Sequence, residues 1–330
     1  MRPRLRFAHL PTPVEEMPRL SAVLKGPRLL VKRDDQTGLA FGGNKTRKLE
    51  YLLAEAQQEG TQTLISAGAV QSNHCRQTVA AAARFGMDCI LVLFGDPPNP
   101  PDGNHLLHHL LGAEIIFTSR ETLETRLAEV FDRAQTENRK PYLIPYGGSN
   151  PTGAQGYVNA MLELAEQDVH PDWIIFPSSS GGTQAGMLVG AKMSGYRGKI
   201  MGISVDQPAQ SLSAQVADLA TKTAAFLGET WTFTADEVLV NEDYLGAGYV
   251  VMGDPEVEAI NLFARQEALL LDPVYTGRAA AGLIDMIRKG FFDPDETVLF
   301  WHTGGGPALF ASRYQGRLLK NNKTGLTEFI

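Results

Sequence analysis

The chain predicts an α/β protein in three layers, with parallel sheets covered on both faces by helices. Three observations predict it. Apolar runs of strand length recur along the chain, amphipathic stretches of helix length separate them, and Gly- or Ser-containing turns repeatedly carry an apolar run into the next helix. With 330 residues and 43% apolar content, the chain can bury one large core or two moderate ones.

In order, Leu29-Leu30-Val31 reads as a strand, and 46–59 as a helix with Leu49, Leu52, Leu53 and Ala56 on one face. Strand 63–66, helix 72–85 and strand 89–93 follow, then a Pro-rich surface loop from Asp96 to Asp102. Helix 105–111 leads to strand 114–117, and helix 121–135 to strand 142–145. Helix 153–166 precedes a strand at Trp173-Ile174-Ile175-Phe176, a helix opening at Gln184, and strand 200–205. Helices at 211–227, 255–270 and 277–289 precede a late buried strand, Thr297 to Trp301. No repeat period and no low-complexity tract interrupts the series.

Charge and cysteine usage narrow the partners. The formal net charge is −7, and no basic block is long enough to track a nucleic-acid backbone. Cys75 and Cys89 are too few for a disulfide framework and lack metal-ligand spacing. The basic start, Met1 to Phe7, precedes no long apolar run, so neither a signal peptide nor a membrane span is expected. The expectation is a soluble protein of the cytoplasm.

Two segments fit together chemically. Phe41-Gly42-Gly43-Asn44-Lys45-Thr46-Arg47-Lys48 opens a helix, with Asn44 as the expected N-cap and Lys45 as its first residue. A cation there opposes the helix dipole, and Arg47 and Lys48 add like charge, so the amine is pushed toward its neutral, nucleophilic form. Alone, the segment reads equally well as a solvated basic first turn. Ser178-Ser179-Ser180-Gly181-Gly182-Thr183 lies between the 173–176 strand and a helix, where hydroxyls and backbone amides suit a phosphate dianion. No Lys follows its glycines and the GxGxxG spacing is missing, so neither a Walker A loop nor a dinucleotide fold is indicated. A Ser/Gly turn capping a helix is the plainer alternative. A reactive amine plus a backbone anion site is what pyridoxal phosphate requires when held as a Schiff base.

Three further turns join these two. Gly68-Ala69-Val70-Gln71-Ser72-Asn73-His74-Cys75 follows a strand and starts a helix, at the sheet end where open α/β folds bind ligands. Its amides can hold a carboxylate, Asn73 can donate to a phenolate-like oxygen, and Ser72 can move a proton; simple capping roles are the alternative. Leu271 to Arg278 and Trp301 to Gly306 have the same character. Other groups are discounted. His105, His108 and His109 have helical spacing for a metal, but no carboxylate or Cys is near, so a partly exposed helix face is expected. Asp34-Asp35 read as turn or salt-bridge residues, Cys75 as packing, and His302 equally as a satisfied core histidine.

The runs GGNKTRKLEYL, SAGAVQSNHCRQT, LDPVYTGRAAAGLID and HTGGGPALF, in this order over residues 5–312, resemble the D-cysteine desulfhydrase / 1-aminocyclopropane-1-carboxylate deaminase family. The resemblance implies a two-domain, tryptophan synthase β-like fold (fold type II), with 48–156 as a small inserted domain and 1–47 plus 157–330 as the large one. It implies a homodimer acting on a small amino acid. Lys45 would carry the cofactor, Asn44 would lie beside it, and Asn73 would bond the ring hydroxyl. Ser179, Ser180, Gly181, Gly182 and Thr183 would cradle the phosphate. Ser72, Asn73 and His74 would take the substrate carboxylate, with Ser72 assisting proton transfer and Tyr275 and Tyr249 completing the site. After Tyr249 the family usually continues with Gly and Pro nearby, whereas Val250-Val251-Met252 follow here.

Substrate choice centres on the pyridine ring. Deaminases of the cyclopropane amino acid usually carry Glu and Leu where this chain has Thr276 and Thr303. Neutral hydroxyls would leave the ring largely unprotonated and a weaker electron sink. That suits β-elimination from D-cysteine or a relative, giving pyruvate, ammonia and sulfide. Cysteate sulfo-lysis, which expels sulfite and would want a cation near the β-carbon, is the close alternative. Cyclopropane deamination comes next, and a cofactor-binding sensor without turnover is the reading outside enzymes.

Overall fold

The structure is a computed structural model and describes residues 2–320. In chain order it comprises β1 (Val14–Glu16), α1 (Pro18–Leu24), β2 (Arg28–Arg33), α2 (Asn44–Gln58), β3 (Thr63–Ala69), α3 (Asn73–Phe85) and β4 (Asp88–Phe94). Next come α4 (Gly103–Leu110), β5 (Glu114–Thr118), α5 (Leu123–Thr136), β6 (Pro141–Leu143), α6 (Pro151–Glu166), β7 (Trp173–Ser178) and α7 (Gly182–Ser194). The chain ends with β8 (Lys199–Ser204), α8 (Ala209–Phe226), β9 (Leu239–Asn241), α9 (Asp254–Glu267), α10 (Thr276–Arg288), β10 (Thr297–His302) and α11 (Ser312–Lys320). No described helix is long and apolar enough to cross a membrane.

Two sheets result. A six-stranded sheet has the order β1-β2-β10-β7-β8-β9, parallel throughout except for β1, which runs antiparallel to β2. A four-stranded parallel sheet has the order β5-β4-β3-β6. Central strands are covered on both faces, which is why they read as unbroken apolar runs rather than alternating ones. In β10, Val298 and Phe300 join one core with Phe263 and Leu283, while Leu299 and Trp301 join the opposite core with Tyr157 and Met187. β3 does the same in the smaller sheet: Leu64 packs with Leu91, and Ile65 with Ile90 and Val130.

The expected alternation is present, with shifted ends: the 142–145 strand is β6, one residue earlier and shorter. Four elements went unforeseen, namely β1, α1, β9 and α11. β1 and β9 are three-residue strands of partly exposed residues, too short for a periodic signal. α1 did carry one, since Pro18 stands at its start.

All four strands of the smaller sheet come from 63–143, within the 48–156 span expected of an inserted domain. Of the flanking helices, α2 turns Leu49, Leu52, Leu53 and Ala56 into the core of the smaller sheet, while α6 packs Tyr157, Ala160, Met161 and Leu164 against strands of the larger one. A Cβ on Gly156 of α6 would lie 2.5 Å from the Arg47 carbonyl oxygen of α2, and one on Gly186 of α7 would lie 2.3 Å from that of Ala154. We propose that α6 belongs with the six-stranded sheet, which narrows the inserted domain at its C-terminal end, and that α2, packed on the smaller sheet, is tied to the larger unit through α6.

A buried ionic cluster fixes α2 in place. Arg47 donates to both carboxylate oxygens of Asp34, at 2.9 and 2.8 Å, and to both of Glu163, at 2.9 Å each. Lys32 donates to Glu163 at 2.6 Å and Tyr157 to Asp34 at 2.6 Å. Burial alone would raise the Asp34 carboxyl, but the adjoining Arg47 guanidinium outweighs it and holds the group below its ordinary value. The expectation that Arg47 adds like charge beside Lys45 is therefore corrected: two carboxylates neutralise it. Asp34 and Asp35 are salt-bridge residues, the second paired with Arg33. Removing one member strands its partners in low dielectric. Arg47→Met should cost about 3–5 kcal/mol of stability by chemical denaturation; a loss below about 1 kcal/mol would contradict this role.

Candidate active site

The carboxyl ends of β3, β7 and β10 open onto one cavity between the sheets, the location expected for a ligand in open α/β folds. Lys45 enters it from the start of α2. That helix is capped by Gly43 (φ 124°) after Gly42 (φ 62°), both in the left-handed region that favours glycine. A Cβ on Gly43 would stand 2.6 Å from Gln77 Nε2 and 3.1 Å from the Thr303 carbonyl. Asn44 is thus not the N-cap expected of it but the first helical residue. Its backbone N–H donates to the Thr303 carbonyl at 3.0 Å, and its Nδ2 donates to Thr183 Oγ1 at 3.1 Å. These two bonds tie the lysine turn to the β10 end and to the anion loop.

Burial pushes the Lys45 amine down to about 8, only partly offset by a hydrogen bond with Lys48. Lys48 is driven well below its ordinary value, first by burial and then by Lys45. Two amines sharing one dry site cannot both stay charged, and Lys45 passes to its free base near pH 8 rather than at the ordinary lysine value. Lys48 Nζ also donates to the Gly147 carbonyl at 3.1 Å and to Ser149 Oγ at 3.3 Å.

Opposite lies the serine-rich loop. Helix α7 starts after Gly181 (φ 77°), which as N-cap offers no side-chain acceptor to the first turn, and this helix end borders the cavity through Gly181 and Thr183. Ser180 Oγ bonds Ser149 Oγ at 2.8 Å, which also accepts from Gly182 N at 3.2 Å. A Cβ on Gly182 would meet Ser149 Oγ at 2.6 Å and Lys48 Nζ at 2.9 Å, so only glycine lets the second amine this close. Thr183 lines the cavity, and the Ser179 hydroxyl is committed to Asp206 at 2.9 Å. Tyr146, Gly147, Ser149 and Asp206 were not singled out from sequence. The first three sit in Tyr146-Gly147-Gly148-Ser149, a Gly/Ser turn after a strand and before a helix, the same signal as the other turns.

Ser72, Asn73 and His74 form a third wall at the start of α3. Ser72 is the N-cap, its Oγ accepting from Cys75 N at 3.1 Å, yet it still faces the cavity. His74 Nε2 pairs with Ser66 Oγ at 2.9 Å, and burial, then Lys45, keeps the ring neutral. Tyr275 lines the remaining side, its hydroxyl 2.7 Å from that of Tyr249. Tyr146 hydrogen-bonds Tyr249, giving three linked phenols, all raised by burial and therefore protonated.

The two threonines part company. Thr303 lines the cavity. Thr276 does not: it is fully buried, donates to Asp272 Oδ1 at 2.8 Å and accepts from Asp272 N at 2.7 Å. Its hydroxyl is thus engaged by Asp272 rather than presented on the cavity wall. Asp272 itself is spent on the amides of Val274, Tyr275 and Thr276. The partly exposed face expected of His105 and His108 is also wrong, since both are buried and only His109 is exposed. No cluster of three metal-ligating residues exists among the described residues. Burial lifts the Cys75 thiol to about 12, which leaves it a packing group.

A nucleophilic amine facing a helix N-terminus and its serine-rich loop defines a site for a carbonyl cofactor with an anionic tail. Comparison with known proteins gives the particular one. Residues 5–304 match the family described as "Pyridoxal-phosphate dependent enzyme", and the chain belongs to it. A solved structure described as an ACC deaminase homologue is 36% identical, with 96% of this chain and 95% of that one covered and a TM-score of 0.88. Two more distant structures share the fold: a fungal L-serine ammonia-lyase from Rhizomucor miehei (17% identity, 95% and 98% coverage, TM-score 0.69) and threonine deaminase isoform 2 from Solanum lycopersicum (16%, 95% and 84%, 0.67). The desolvated amine, the α7 N-terminus with its serine-rich loop, and Lys48 fit the aldehyde and the phosphate of that cofactor.

The amine's low pKa has a kinetic consequence. Recombination of the apoenzyme with pyridoxal phosphate should accelerate with pH and level off near 8, where Lys45 becomes free base. Acceleration continuing toward 10.5, the ordinary lysine value, would show that burial does not tune this amine. Lys45→Ala should abolish the bound cofactor's visible absorbance.

Proposed function

We propose that the enzyme catalyses β-elimination from D-cysteine or a related amino acid, consuming one water and releasing pyruvate, ammonia and sulfide. One observation carries the reading: among the described residues, no Asp or Glu lines the cavity. Thr303 offers a neutral hydroxyl, and the nearby Asp272 carboxylate is consumed by its own turn. A ring nitrogen without a carboxylate partner stays largely unprotonated, which suits a substrate with a good leaving group more than strained-ring opening.

Pyridoxal phosphate, when bound, supplies an electrophilic carbon for the substrate amine and a sink for the electrons left by the departing α-proton. The chain does the rest. The α7 amides, Lys48 and Ser180 hold the dianionic tail, and Asn73 donates to the ring oxygen. The N–H groups of Ser72, Asn73 and His74 receive the substrate carboxylate at the positive end of α3. Lys45, or Ser72, removes the α-proton; the geometry favours Lys45, because the Ser72 oxygen already accepts from Cys75 N and neutral His74 bonds Ser66 instead. Protonated Tyr275, linked to Tyr249 and Tyr146, is the donor for the departing thiolate. The reading carries with it a homodimeric, cytoplasmic enzyme.

A second reading has support of its own. Arg120 lies over the rings of Phe94 and Tyr249, each 5.7 Å from the guanidinium carbon, and forms no close ion pair among the described residues. It is the cation that an anionic leaving group such as sulfite would need, and it favours cysteate as an alternative substrate. Purified holoenzyme should release pyruvate from D-cysteine faster than from L-cysteine, L-cysteate or the cyclopropane amino acid. Fastest release from L-cysteate would favour the second reading, and turnover of the cyclopropane amino acid alone would overturn both. Combining Thr303→Leu with Thr276→Glu should lower desulfuration at least about tenfold and raise cyclopropane opening; if neither rate moves, the ring-protonation argument fails.

A further inference from the structure

Arg76, on α3 one turn beyond Asn73, is fully buried, yet every atom it touches is neutral. Its Nη2 donates to the Gly42 carbonyl at 2.6 Å, and its Nη1 donates to Asn104 Oδ1 at 3.0 Å and to Asn73 Oδ1 at 3.3 Å. Nε has no partner. Its nearest counter-charge, Asp272, acts only at a distance and is already spent on its own turn. A buried guanidinium without a contacting carboxylate is costly unless it serves an anion elsewhere.

The amide it touches shows where that anion belongs. Asn73 Oδ1 accepts from Arg76 and, at 2.8 Å, from Asn104 Nδ2. Asn104 is locked in turn: its N–H donates to Gln71 Oε1 at 2.8 Å and its Nδ2 to the Gln71 carbonyl at 2.9 Å. Two donors on one side leave a single orientation of the Asn73 amide, with Nδ2 turned away from them, and Asn73 lines the cavity.

We infer that Arg76, acting with Asn104, is a positioning residue: it fixes Asn73 as a donor toward the cofactor's ring oxygen and supplies the positive field that favours that oxygen's anionic form. This rests on the reading of Asn73 as the ring-oxygen donor, and not on the choice of substrate. A donor and a nearby cation favour the ring-oxygen anion that remains once the bound cofactor's imine loses its proton, so their loss raises the pH at which the visible spectrum changes.

The test is a spectrophotometric pH titration of holoenzyme, with the dissociation constant for pyridoxal phosphate measured alongside. Arg76→Gln should raise the midpoint by about one unit and weaken cofactor binding about tenfold. Arg76→Lys, which keeps the charge in a milder substitution, should recover at least half of the midpoint shift. Asn73→Ala serves as the control and should move the midpoint in the same direction. A wild-type midpoint in folded Arg76→Gln and Arg76→Lys, with Asn73→Ala still shifted, overturns the brace and spares Asn73. If Asn73→Ala is unshifted too, the ring-oxygen reading falls with it.

Discussion

The site depends on keeping one amine out of water. Lys45 is useful because its ammonium form is penalised by burial, which a hydrogen bond with Lys48 only partly offsets, and nothing acidic on the cavity wall relieves that penalty. An isolated dry amine would tend to drag its helix toward solvent. The fold prevents this from below: Arg47, on the same turn, is locked into Asp34 and Glu163, and through Glu163 to Lys32. One turn of helix thus holds a deliberately unsatisfied lysine and a fully satisfied arginine side by side, and the second stabilises the position of the first.

Glycines at the contacts make the arrangement possible. Gly43 and Gly304 let the lysine turn and the β10 turn touch, since a Cβ on Gly304 would fall 2.7 Å from the Gly43 Cα. Gly182 lets Lys48 reach the anion loop. Each of these is a backbone approach rather than a side-chain function, so chemistry and packing are specified by the same short turns.

Much of this was legible in the sequence because α/β folds gather ligand groups at strand-to-helix turns. Lys45, Ser72, Asn73, His74, Ser179 to Thr183, Tyr275 and Thr303 all occur in such turns, and all but Gly182 face one cavity. What failed has a physical pattern. Arg47 and Lys48 look alike in a list of charges, but only three-dimensional pairing shows that one is neutralised by carboxylates 13 and 116 residues away. Thr276 and Thr303 likewise look equivalent, until Asp272 is seen to claim the first. His105 and His108 turn inward because their helix packs against α3, a contact with no local signature. Tyr146 and Ser149 were legible and overlooked.

The most direct measurement is chemical. Holoenzyme reduced with borohydride, digested and mapped by mass spectrometry should carry the reduced cofactor on Lys45 alone. Labelling at Lys48, or at no lysine in the stretch from Gly43 to Leu49, would contradict the account, because the amine that burial prepares would then not be the one that reacts.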